Sequence, residues 1–297
     1  MADVRTRTVI TREQGPQGME YRSEHIEYDS NSLPLVEESW DPQGLLTERY
    51  LRKYDEQGRL VHEILSQEGE ELVEERMLSY DGSGRLAEER RRYLDGSVSR
   101  TTYSWDAEGN RTGLRCVDEE DEEEFREEAR YAAGHHKVAE TRWEYGEEVW
   151  TREWELDARG KVLRYFLHDL SDVARMEHQY AYDPEGRVTE ERIYRNGRLM
   201  ALRQQEYDEE GRVRWHRGET ERGIERIAYA YDERGNQVNA LGTDEEGNFL
   251  NEVKRAYDAD GNILESSVRM IDPATGAERG YVLEYHYSFF SAPDPQH

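Results

Sequence analysis

Three groupings in this sequence have residue types that could do chemistry. The first is an unbroken acidic run, Asp118, Glu119, Glu120, Asp121, Glu122, Glu123 and Glu124, continuing into FREEARY. A block of like charge repels itself and stays extended, so it reads either as a solvated disordered loop or as an acidic arm that captures a basic protein. The second is the adjacent pair His135 and His136. A zinc site would need two further ligands at suitable spacing, and Cys116 is the single cysteine. The pair therefore reads as solvated loop histidines. The third is RWEYGEEVWTREW, Arg142 to Trp154, where Trp143, Trp150 and Trp154 could serve an interface or pack a sheet face.

Other chemistry is missing from the string. DADGN at Asp258 resembles a calcium loop, but its glycine comes at the fourth position and no glutamate follows at the twelfth. No nucleophile elbow, phosphate loop or H-E-x-x-H occurs. Paired carboxylates are so common among 67 acidic residues that their proximity says nothing about acid–base catalysis. The expectation is a non-catalytic chain with no metal and no cofactor.

The elements that would position these residues follow from composition and repeat. The 297 residues carry a formal charge of −27, from 67 acidic and 40 basic side chains. Leu, Ile, Val and Phe number 52, few enough for a disordered chain. Against disorder stand 20 Tyr, 6 Trp and a regular internal repeat. One cysteine excludes an internal disulfide framework. The first residues lack the apolar core of a secretory signal, and no run of 18 apolar residues occurs, so the chain reads as soluble and cytoplasmic. So acidic a protein is a poor partner for nucleic acid or an anionic membrane, and its field attracts basic partners.

A string Y-D-x-x-G recurs, as Tyr54, Asp55, Gly58; Tyr80, Asp81, Gly84; Tyr182, Asp183, Gly186; Tyr207, Asp208, Gly211; Tyr231, Asp232, Gly235; and Tyr257, Asp258, Gly261. Looser copies begin at Trp105 and Leu156, and degenerate ones at Tyr28 and Tyr131. The first residues of these ten copies are spaced by 24 to 26. A weaker turn falls half a period away, at Trp40, Gln67, Leu94, Tyr145, Tyr194 and Thr243. Two turns per period leave strands of about 8–10 residues, which predicts an all-β protein. The x-x-G segment suits a type I turn closed by a left-handed residue, which glycine takes without a Cβ penalty. That loop length sets Asp55 against Arg59, Asp183 against Arg187 and Asp208 against Arg212. One step back, it sets Tyr54 against Leu60, Tyr80 against Leu86, Tyr182 against Val188 and Tyr257 against Ile263. Tyr103, Trp154, Tyr180 and Tyr229 widen the resulting aromatic stripe. About 20 antiparallel strands in meander order cannot stay flat. The expected fold is a long sheet coiled into a spiral or open barrel-like shell, with a propeller as the alternative. Whether the sheet closes is left open. The expected organisation is a single repeat domain of about 11 units: cap strands in 1–27, repeats over 28–287 and a disordered tail over 288–297.

The Y-D-x-x-G-R/N string at this spacing resembles the YD repeat of Rhs proteins, insecticidal toxin-complex shells and teneurins, over about Tyr28 to Tyr287. IDPATGAERGYV, from Ile271, is similar to the boundary that ends an Rhs repeat region before its toxin. The resemblance implies a spiralling β-shell. Only Gly280 to His297 follow that boundary, too few for a toxin, and the chain is far shorter than an Rhs shell. It therefore reads as a short, free-standing member. With the acidity, this leads to the expectation of a protein-binding module, an immunity or antitoxin-like partner that occludes a basic bacterial toxin. The alternatives are an envelope scaffold that binds carbohydrate through exposed aromatics, and a remnant of a larger shell. The oligomeric state is not readable.

Overall fold

The computed structural model describes residues 4–14, 18–67 and 71–290. It is all-β, with strands β1 (Val4–Gln14), β2 (Glu20–Tyr28), β3 (Pro34–Trp40), β4 (Leu46–Tyr54), β5 (Leu60–Gln67), β6 (Glu71–Tyr80), β7 (Leu86–Tyr93), β8 (Val98–Trp105), β9 (Arg111–Val117), β10 (Glu123–Ala132) and β11 (His136–Glu144). The meander continues through β12 (Glu147–Leu156), β13 (Val162–Asp169), β14 (Ala174–Tyr182), β15 (Val188–Arg195), β16 (Arg198–Tyr207), β17 (Val213–Thr220), β18 (Gly223–Tyr231), β19 (Gln237–Asp244), β20 (Phe249–Tyr257), β21 (Ile263–Ile271) and β22 (Glu278–Phe289). Each strand pairs antiparallel with its sequence neighbours, and β1 also pairs with β22 over a register running from Val4↔Phe289 to Gln14↔Gly280. The expected all-β antiparallel meander is thus present, and it closes into a 22-stranded barrel instead of staying an open shell or spiral.

The repeat motif supplies the turns at one rim, as its chemistry requires. At Asp55, the Gly58 N–H donates to the Asp55 carbonyl (3.0 Å) and the Asp55 N–H donates to the Arg59 carbonyl (2.9 Å). Gly58 has φ +75°, in the left-handed region. The pairs Tyr54↔Leu60, Tyr80↔Leu86, Tyr182↔Val188 and Tyr257↔Ile263 all form. Just beyond each, the register slips by one residue. This bulge recurs beside the first residue of all ten motif copies, from Tyr28 to Tyr257. Bulges bend a strand and increase its twist. One per hairpin gives the sheet a uniform curl, which brings β22 round to β1.

Twenty-two strands at the usual spacing give a circumference of about 105 Å, or about 34 Å across for a round section. The accessible surface is 18789 Å². A compact protein of 35.1 kDa would expose about 13,000 Å². The excess is the second face of a single-layered wall around a wet lumen, and among the described residues no large side chain is fully buried. The motif-tyrosine face is the more occluded: Val9, Ile26, Glu63, Glu89, Cys116, Glu140, Ile193 and Val268 are buried on it. It lines the concave side.

Of the expected cap over 1–27, β1 and β2 are full members of the ladder. Of the expected tail, Ser288 and Phe289 belong to β22, and 291–297 lie outside the described residues. The half-period turn expected at Gln67 falls partly on 68–70, also outside them.

Candidate functional site

Two rims and one inner wall are available to a partner. At the motif rim the side chains are tied together. Asp Oδ1 accepts backbone N–H groups two and four residues on, as at Asp55 from Gln57 and Arg59, both 2.9 Å. Its other oxygen takes the arginine: Asp55–Arg59 2.7 Å, Asp183–Arg187 2.6 Å, Asp208–Arg212 2.7 Å. The backbone N–H of Arg59 foremost, then its side chain, outweighs desolvation and holds the Asp55 carboxyl below its usual range. Asn replaces Arg at Asp232 and Asp258, where its amide bond lowers the carboxyl foremost.

Each arginine then reaches the next repeat. Arg59 lies over the Tyr80 ring (4.5 Å), Arg187 over Tyr207 (4.5 Å) and Arg212 over Tyr231 (4.7 Å). The phenols complete the ring. Tyr54 donates to the Pro34 carbonyl (2.9 Å), Tyr80 to Leu60 (2.7 Å), Tyr131 to Arg111 (3.1 Å), Tyr182 to Val162 (2.6 Å), Tyr207 to Val188 (2.8 Å), Tyr231 to Val213 (2.8 Å) and Tyr257 to Gln237 (2.9 Å). Trp105 Nε1 does the same to Leu86 (2.9 Å), and Tyr287 to Ile263 (3.0 Å). Each acceptor opens the preceding odd-numbered strand, two residues beyond the last paired residue of that ladder. The phenol O–H thus stands in for the missing backbone donor. Leu156 has no such group. There His136 lies across Gly160 instead, while His135 Nδ1 bonds Asn110 Oδ1 at 2.8 Å. His135 is thus exposed and hydrogen-bonded to a neighbouring turn, and His136 is half-buried across the next.

Part of the inner wall is tied together as well. Glu37, Arg52, Glu63, Arg76, Glu89 and Tyr103, one on each of β3 to β8, form a continuous chain at 2.9, 2.7, 2.7, 3.0 and 3.0 Å. Desolvation would raise the Glu63 and Glu89 carboxyls, but hydrogen bonds from two arginines each outweigh it and lower them. Burial, then Glu89, pushes the Tyr103 phenol up to about 12.

The second rim differs. The ten turns of the motif rim contain 16 acidic and 7 basic residues, a balance of −9, and Arg59, Arg85, Arg187 and Arg212 each pair with the aspartate of their own turn. Among the described residues, the turns of the other rim contain 12 acidic residues and one basic, Arg222, a balance of −11. The described turns together hold 20 of the 27 net negative charges. The acidic run falls here, but as no disordered arm. Asp118 Oδ1 accepts the N–H of Glu120 (3.0 Å) and Glu122 (2.9 Å), and Asp121 sits at φ +65° where the motif has glycine. It is the motif turn again, with β10 beginning at Glu123. Asp121 meets Arg100, Glu123 meets Arg115 and Arg126 (2.8 Å each), and Glu124 accepts from Cys116 Sγ. Glu119, Glu120 and Glu122 stand exposed and unpaired. Glu245 and Glu246 do the same in the turn after β19. The run was readable as charge; that its turn was ordered could have been seen from the spacing of Asp118 to Glu122.

The tryptophans do not share one surface. Trp150 and Trp154 lie on the inner face, Trp150 under Arg152 (4.0 Å) and Trp154 5.4 Å from the Tyr165 ring. Trp143 is on the opposite face under Arg126 (4.3 Å).

No protein-family model matches the chain, and no curated protein matches it. Among solved structures, it is similar to a chain of the Photorhabdus luminescens Tc holotoxin pore, at 13% identity and TM-score 0.33, over 91% of this chain and 21% of that one. This chain thus spans about a fifth of that one's length. It is also similar to a porin-like protein from Bacteroides uniformis, at 9% identity and TM-score 0.31, over 96% of each. Likenesses this distant say nothing of what the barrel binds.

Proposed function

We propose that the chain is a non-catalytic protein-binding shell that captures a basic polypeptide, acting as an immunity or antitoxin-like partner that occludes a basic toxin in the cytoplasm. One observation carries this reading. The motif rim ties most of its arginines to its aspartates and spaces its unpaired exposed acids one to a turn, whereas the second rim gathers Glu119, Glu120 and Glu122, exposed and without an ion pair, in a single turn. An unneutralised acidic mouth steers and holds a basic surface, and a nuclease-type toxin needs its basic surface for phosphate. A water-soluble setting is supported by charge at mid-strand on both faces, Glu63 and Arg76 on one, Glu88 and Arg90 on the other. Among the described residues, those charges interrupt any apolar band of the kind a lipid-facing barrel carries.

Co-expression with a basic toxin encoded beside the chain should restore growth, and the two should co-elute in a complex that weakens with salt. Undiminished toxicity and separate elution would end the proposal.

A further inference from the structure

The acidic mouth also carries exposed apolar side chains. Leu45, Leu94, Tyr145, Leu170, Val173 and Leu199 are all exposed at or beside its turns. Five successive turns, from 94–97 through 118–122, 145–146 and 170–173 to 196–197, make one arc. In it, Leu94, the unpaired glutamates, Tyr145, Leu170 with Val173, and Leu199 follow in order. Neighbouring turns are two strands apart, roughly 10 Å.

Two of these residues are held against their own preference. Tyr145 and Val173 both have φ +49° and are each 79% exposed. Left-handed backbone is uncommon for any side chain and an outlier for a β-branched one. The chain contains its own comparison: Asn196–Gly197 makes the same two-residue turn as Tyr145–Gly146, with φ +49° and +79° against +49° and +85°. Asn is the ordinary residue there. Neither Tyr145 nor Val173 gains packing in return, since four-fifths of each is in solvent. Strain of this kind collects at ligand clamps.

The geometry points to Tyr145 and Val173 as apolar anchors of a docking arc, whose occupant is a basic polypeptide presenting an apolar patch flanked by Lys and Arg. Charge complementarity fixes the flanks and the exposed tips fix the centre. The inference rests on the acidic-mouth reading and adds to it a demand for apolar surface.

Two synthetic peptides of equal positive charge test it, one with a Leu/Phe stripe beside its lysines, the other with every Leu and Phe replaced by Ser. Fluorescence anisotropy should show the striped peptide binding at least about tenfold tighter. The double variant Tyr145→Asn with Val173→Gly should lose that preference, keep its affinity for the Ser peptide, and melt at the same or a higher temperature. Tyr145→Phe should retain the preference. Equal binding of both peptides by the native chain would overturn the anchors and leave the acidic mouth standing. A preference that survives in the double variant, or a lowered melting temperature, would also overturn them. If neither peptide binds, both readings fall.

Discussion

Replacing Tyr182 by Phe removes one oxygen and tests the tyrosine latch. In the native barrel this phenol donates to the Val162 carbonyl at 2.6 Å, beyond the end of the β13–β14 ladder, whose last pair is Arg164↔Gln179. The ring keeps its place in the variant, since Val188 still faces it and Lys161 Nζ still lies 5.1 Å from its centre. What is lost is one neutral hydrogen bond, a net of about 0.5–1.5 kcal/mol, with the lower half expected because the rim admits water. For a domain of this size that is a melting shift of roughly 1–5 °C. Urea unfolding should show a lower midpoint with an unchanged slope. Tyr194→Phe is the matched control, because the Tyr194 phenol forms no hydrogen bond within the barrel. If both variants unfold at the same midpoint, the latch contributes nothing and the reason given for the repeated tyrosine is wrong.

Three further outcomes follow from the same rim. Leu156→Tyr should supply the missing donor opposite the Lys137 carbonyl and raise the urea midpoint by up to about 1 kcal/mol of stability. Gly186→Ala should cost more than Gly109→Ala: both pay about 1–2 kcal/mol for left-handed backbone, but a Cβ at 186 overlaps Lys161 Nζ, which bonds the Gly186 carbonyl, while that at 109 meets open space. Differential scanning calorimetry of the two variants reads the difference. At high pH, burial raises the phenols of Tyr54, Tyr80, Tyr182 and Tyr231, and, with a nearby glutamate, those of Tyr103 and Tyr180 to about 12. A raised folded value means stability that is complete below the unfolded value near 10 and lost as pH climbs toward 12. Tyrosinate absorbance and unfolding should therefore rise together in that window, and a barrel that ionises its phenols there without loosening would contradict the latch.

The turns, the strand count and the cross-strand pairs were legible because each rests on a local rule. Gly58 needs the left-handed region, Asp55 needs neighbouring N–H groups, and a loop of fixed length sets Tyr54 against Leu60. Closure was not legible. It depends on β1 meeting β22, neither of which carries the repeat string cleanly, and on a bulge after each turn that leaves no residue signature, since Val61, Ala87 and Thr189 fill it equally well. The latches were missed because they join a side chain to a main-chain carbonyl about 20 residues earlier, and carbonyls have no letter. The charge partition could have been found by sorting acids by turn set. The conspicuous run at Asp118 drew the reading to one loop instead of to the whole rim.

The central claim is that the second rim, and not the first, holds a basic partner. Two variants each remove three exposed, unpaired carboxylates: Glu119, Glu120 and Glu122 to Gln at the second rim, and Glu56, Glu209 and Glu233 to Gln at the first. Affinity for the Lys/Ser peptide, measured by anisotropy at low salt, should fall about tenfold in the first variant, at about 0.5 kcal/mol per charge, and stay within about twofold in the second. Equal losses would show that only overall charge matters, and would contradict the account.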